Sequence, residues 1–141
     1  MKMPAMHTYK IFISHAWEYD EDYNTLIDFL DRASNFKYSN YSVPKDKKFA
    51  SLPPLEMQEE LKQQIRPVEI VLVLAGMYVA HSDWIQFEID FAHSLRKPIL
   101  PIKPKGSQRY PNHLEFAESD AVGWQTDSIV QAIRTRTGHA G

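Results

Sequence analysis

Apolar and polar positions along the chain alternate between two periods. Tyr9-Lys10-Ile11-Phe12-Ile13-Ser14 is a short, largely apolar run that ends in His15-Ala16-Trp17, the pattern of a buried parallel strand. After the acidic Glu18-Tyr19-Asp20-Glu21-Asp22, the residues Tyr23, Leu26, Ile27, Leu30 and Ala33 recur at helical spacing, with the acids at the favoured end of the helix dipole. Phe36 to Pro44 alternates aromatic with polar residues and stops at a proline, which predicts a less hydrophobic strand near a sheet edge. Pro44 to Pro54 reads as a polar loop. A helix starts near Leu55, carries Met57, Leu61 and Ile65 on one face and stops before Pro67. Glu69-Ile70-Val71-Leu72-Val73-Leu74-Ala75-Gly76 is the most apolar run and the candidate central strand. The next helix begins at Ser82 or Asp83 and ends near Arg96-Lys97, followed by a strand over Pro98–Ile102. His113–Phe116 reads as a short helical turn and Ala121-Val122-Gly123-Trp124 as a last strand. Thr126 or Asp127 then caps a terminal helix holding Ile129, Val130 and Ile133, and the chain frays from Thr137.

Strands separated by helix-length segments predict an α/β fold, a flavodoxin-like open parallel five-stranded sheet of order 2-1-3-4-5 with helices on both faces. Ligands of such sheets bind beyond the carboxyl ends of the strands, where the strand order reverses. That rule selects Ser14-His15-Ala16-Trp17, Ser42-Val43, Gly76-Met77-Tyr78 and the Ser82–Glu88 region.

One position breaks the apolar pattern. In the helix from Ser82, at about 100° per residue, Trp84, Ile85, Phe87, Ile89, Phe91, Ala92 and Leu95 fill one broad arc. Gln86, Asp90, His93 and Ser94 fill the other side. Glu88 falls near the middle of the apolar arc, one turn after Trp84. A buried carboxylate needs a partner, a raised pKa or a task. The alternative is a structural glutamate tied to a nearby backbone N–H or hydroxyl.

Composition narrows the chemistry by exclusion. The 141 residues suit one domain, residues 1–141 with a core over about 8–135, and a net charge of −2 gives no global attraction to nucleic acid or membrane. The absence of cysteine removes disulfides, thiolate zinc sites and a cysteine nucleophile. No apolar run reaches bilayer length and the first residues lack a signal-peptide core, so a cytoplasmic protein is expected. The five glycines build neither a GxGxxG turn nor a GxxxxGK phosphate loop, and no serine lies in a GxSxG elbow. The six histidines show no metal-ligand spacing, so no metal is expected. A response-regulator receiver needs acids where this chain has Ser14-His15 and Ala75-Gly76.

Two of these stretches carry a family resemblance. Tyr9-Lys10-Ile11-Phe12-Ile13-Ser14-His15 resembles the opening strand of TIR domains. Ser82-Asp83-Trp84-Ile85-Gln86-Phe87-Glu88 resembles their serine–x–tryptophan–x–x–x–glutamate signature on the helix after the third strand. Tyr41-Ser42-Val43-Pro44 is similar to the bacterial TIR-like branch that includes the ThsB protein of Thoeris anti-phage defence. The loop from Pro44 to Pro54 departs from the long loop that TIR domains carry there. The resemblance implies Glu88 as the catalytic residue of an NAD glycohydrolase or ADP-ribosyl cyclase, with NAD as substrate and no other cofactor. Ser14, His15, Trp17, Asp20, Ser42, Tyr78, Ser82 and Trp84 are the implied substrate-binding residues. It further implies an ADP-ribose-type nucleotide signal, in the form of a cyclic isomer, to a downstream effector, and self-association as a homo-oligomer. Two other readings keep the fold: an interaction scaffold without turnover, and an N-glycosidic enzyme akin to nucleoside deoxyribosyltransferases.

Overall fold

Ile70-Val71-Leu72-Val73-Leu74 is buried at every position, which a strand achieves only with cover on both faces of its sheet. The computed structural model describes residues 7–14, 20–41, 55–75, 82–103 and 120–138, without the side chains of Asp20, Glu56, Met57, Ser82, Asp83 and Trp84. Their order is β1 (Thr8–Ser14), α1 (Asp20–Arg32), β2 (Lys37–Asn40), α2 (Leu55–Ile65), β3 (Ile70–Leu74), α3 (Ser82–Ser94), β4 (Ile99–Ile102) and α4 (Thr126–Thr137). The strands form one parallel sheet in the order β2-β1-β3-β4. α1 packs with α4 and α2 with α3, so each face receives a helix pair. Ile11, Phe12 and Ile13 of β1 join β3, Leu100 and Ile102 in the core. Leu26 and Leu30 of α1, Leu61 and Ile65 of α2, and Ile129 and Ile133 of α4 close over it.

The sheet corrects the expected five strands. Four strands stand among the described residues, in the first four places of the expected order. The fifth place holds a single parallel bridge from Ile102 to Val122. Val122 N–H donates to Pro101 O at 3.0 Å, and Lys103 N–H donates to Val122 O at 2.8 Å. Extension stops there because the Gln125 N–H turns back onto Gly123 O at 2.9 Å. Edge strand β2 is shorter than the alternating run suggests, although Tyr41 N–H adds one more bond to Ile11 O. The expected turn at His113–Phe116 lies outside the described residues.

The last helix also differs at both ends. Its N-cap is Gln125, in extended conformation and with no side-chain cap bond; Thr126 is already helical. At the other end Gly138, at φ 80°, takes the left-handed position where a Cβ is disfavoured, and its N–H reaches Arg134 O and Thr135 O. Thr137 is held too, donating from Oγ1 to Ile133 O at 2.8 Å, so Thr137 and Gly138 are not frayed as expected, and residues 139–141 of that stretch lie outside the described residues. Among the described residues no helix is long and apolar enough to cross a membrane.

Candidate functional site

β1 is a central strand with β2 on one side and β3 on the other. The chain leaves β1 through α1 toward β2, whereas β3 and β4 build outward on the opposite side. The carboxyl ends of β1 and β3 therefore flank the point where strand order reverses. Ser14 is the last residue of β1 and pairs with Val73 of β3. Because successive side chains of a strand alternate, Ser14 shares a face with Phe12 while Ile11 and Ile13 point the other way.

α3 lies over β1 and β3. Among its described side chains the buried ones are Ile85, Glu88, Ile89 and Ala92, spaced i, i+3, i+4 and i+7, and they define its inward stripe. Phe87 and Phe91 are only half-buried at the margin, and Leu95 is exposed, so the apolar arc is narrower than the sequence pattern suggests. Lys62 of α2 and Arg66 just beyond its end stand over the Phe91 ring, at 5.5 and 5.6 Å from its centroid. The outer side carries Asp90, which accepts from Gln86 Nε2 at 2.8 Å. At about 100° per residue Ala92 and Ile85 fall in the middle of the inward stripe, and Glu88 stands on its flank toward Phe91, buried all the same.

Ser14 and Glu88 are the polar or charged side chains in the buried class among the described residues, at 0% and 1% exposure. They meet: Ser14 Oγ donates to Glu88 Oε1 at 2.6 Å. That distance lies in the short range of hydroxyl–carboxylate bonds, which are roughly twice as strong as neutral ones. Burying a carboxylate among Ile85, Ile89 and Ala92 is unfavourable, and the hydroxyl offsets part of that loss. The sheet end and the helix stripe thus converge on one carboxylate held in an apolar wall.

Of the nine residues expected in the site, the structure brings together Ser14 and Glu88. Asp20 opens α1, and Ser82 and Trp84 lie in the first turn of α3, with Trp84 one turn before Glu88; the positions of these three side chains are not described. His15, Trp17, Ser42 and Tyr78 lie outside the described residues. The direct Ser14–Glu88 contact was not anticipated, although the shared face of Phe12 and Ser14 toward α3 was a usable signal. Among the described residues no cluster of three His, Asp or Glu side chains could hold a metal ion. A cavity of about 390 Å³ lies elsewhere, between the end of α1 and α4, lined by Arg32, Asp127, Gln131 and Arg134 among others; neither Ser14 nor Glu88 borders it.

The sequence profile of the family described as Thoeris protein ThsB, TIR-like domain, matches residues 12–109, more than half of the chain. No curated protein sequence matches it.

Proposed function

The chain belongs to the family of TIR-like domains described from the Thoeris protein ThsB, and from that premise we propose that it cleaves the nicotinamide–ribose bond of NAD. The product is an ADP-ribose-type signalling nucleotide, a cyclic ADP-ribose isomer, made in bacterial anti-phage defence. The observation that carries this reading is Glu88, a carboxylate buried to 1% exposure in an apolar stripe beside the carboxyl end of β1.

The reaction suits one carboxylate. The bond between ribose C1′ and the nicotinamide nitrogen breaks with its electron pair going to the nitrogen, whose positive charge is thereby lost. No acid has to protonate this leaving group, unlike an ordinary glycoside hydrolase with two carboxylates. The sugar becomes oxocarbenium-like, and a negative charge in low-dielectric surroundings stabilises it. Attack by water on C1′ gives ADP-ribose and releases one proton. Attack by a group of the same nucleotide closes a ring instead, which requires a folded substrate and restricted water. Trp17, Tyr78 and Trp84 are assigned as the aromatic walls, and His15, Asp20, Ser42 and Ser82 as polar substrate contacts. NAD is substrate, and no further cofactor or metal is assigned.

At 1% exposure Glu88 cannot touch a substrate until the groups over it part. This agrees with an enzyme held quiet until a trigger or self-assembly acts on it, since unrestrained turnover would drain cellular NAD. An interaction scaffold has no use for this carboxylate and would tolerate it in solvent. A purely structural glutamate would make the same hydroxyl contact, so chemistry must decide. Wild-type protein and Glu88→Gln are incubated at high concentration with NAD, with and without phage-infected lysate, and the products are separated by mass spectrometry. Nicotinamide release by the wild type alone is expected, with a second product of cyclic ADP-ribose mass. Equal release by both proteins, or none from either under both conditions, overturns the assignment. Nucleosides supplied in place of NAD test for deoxyribosyltransferase chemistry.

A further inference from the structure

The resemblance places Ser14 among the substrate contacts, but its geometry gives it different work. Ser14 is as buried as Glu88, and its single hydroxyl proton is already committed to Glu88 Oε1, 2.6 Å away. We propose that Ser14 is a positioning residue, which fixes the Glu88 carboxylate against the carboxyl end of β1 and does not itself bind substrate. This rests on the enzymatic reading of Glu88 above.

The two side chains differ in freedom, and that difference sets the direction of control. A glutamate has three side-chain torsions, and fixing one costs about 1–2 kcal/mol of rotamer entropy. Serine has one torsion, and its backbone closes β1, which is paired to β2 as far as Ile11 and to β3 up to Ser14 itself. Ser14 pairs directly with Val73 of the fully buried β3. The hydroxyl is thus the better-anchored partner, and the carboxylate takes its place from it. Glu88 departs from a stripe of Ile85, Ile89 and Ala92, whose apolar contacts alone would not choose among its rotamers. A displacement of about 1 Å at a reacting group can lower the rate about a hundredfold. Positioning therefore appears in the chemical step and leaves substrate affinity alone.

The test compares kcat and KM for NAD in the wild type, Ser14→Ala, Ser14→Thr and Ser14→Val, each activated as above, with thermal melts of every variant. Thr and Val have nearly the same shape and differ in the hydroxyl, so that pair repeats the test should Ser14→Ala fail to fold. The expected result is a 10- to 100-fold fall in kcat for Ala and Val with KM unchanged, on the scale of a misplaced reacting group. Thr should recover most of the wild-type rate. A wild type with no turnover overturns the enzymatic reading and this inference with it. An active wild type overturns this inference alone in three cases: an unchanged kcat in Ser14→Ala, a raised KM at constant kcat, or failure of both Ala and Val to fold.

Discussion

The contact between Ser14 and Glu88 makes a prediction about stability that stands apart from any activity. Both side chains are buried and joined at 2.6 Å, so removing either one takes a hydrogen-bond partner from the other. Ser14→Ala leaves the carboxylate without one donor, and a hydrogen bond to a charged group is worth about 1.5–3 kcal/mol. Glu88→Met nearly keeps the length of the side chain and leaves the Ser14 hydroxyl buried without its acceptor, a loss of about 1–3 kcal/mol. The double variant removes both polar partners and places a thioether against Ile85, Ile89 and Ala92, a change that is close to neutral when shape is kept. The losses therefore should not add. A double-mutant cycle measured by urea unfolding should give a coupling of at least about 2 kcal/mol, with the double variant more stable than the worse single. Both singles remain measurable, because domains of this size are stable by about 5–15 kcal/mol. Additivity within about 0.5 kcal/mol would mean that the two groups do not meet in solution, and the account of the site would fail.

Two further outcomes follow from other parts of the fold. Burial chiefly, then the hydrogen bond to Asp31 and its charge, push the Tyr38 hydroxyl well above its ordinary value near 10. The raised value in the folded state means that this contribution is complete below pH about 10 and is lost as pH rises beyond it. Alkaline unfolding curves should accordingly fall more gently from pH 10 upward in Tyr38→Phe than in the wild type; parallel curves would refute the assignment. Gly138→Ala should destabilise the fold by about 1 kcal/mol in urea unfolding. A Cβ there meets nothing within 4 Å and only the left-handed backbone opposes it, so a loss well beyond that or none at all would contradict the cap geometry.

How far the fold could be read depended on whether local pattern or distant contact fixed each piece. β1 and β3 were legible because a buried parallel strand writes itself as an apolar run, and α2 because Leu55 and Pro67 bound a clear helical stripe. The fifth strand failed because only Val122 of its four residues bonds into the sheet before the chain turns at Gly123. The end of α4 was misjudged for another reason: it is tied down by partners far along the chain. Arg134 donates to Asn35 O at 2.8 Å, and Arg136 to Ile99 O at 2.6 Å and Asp120 O at 2.8 Å. The capping residues Thr126 and Asp127 suggested a helix start one or two residues late, since Gln125 O accepts the first turn's bond from Ile129 N–H. Glu88 was legible as an exception to its own helix. Its partner was not, because Ser14 is 74 residues away and only the topology of β1 beside β3 brings it under α3.

That exception is the reason to look for chemistry here. An isoleucine or leucine at position 88 would complete the stripe of Ile85, Ile89 and Ala92, and by area burial alone would add about 1.5–3 kcal/mol. Every other described position on that inward face follows the core pattern, so the departure is local. Sequences that otherwise agree with their fold tend to break the rule at sites of function. The location strengthens the inference independently: among all the buried positions of the sheet and helices, the carboxylate stands where strand order reverses, the place open α/β sheets use for ligands. A glutamate placed only for packing had no reason to fall at that point, nor to meet a strand-end hydroxyl that fixes its direction. The two coincidences are met together by a carboxylate held still and kept dry, the arrangement that the proposed cleavage of NAD, through a short-lived ribosyl cation, would require.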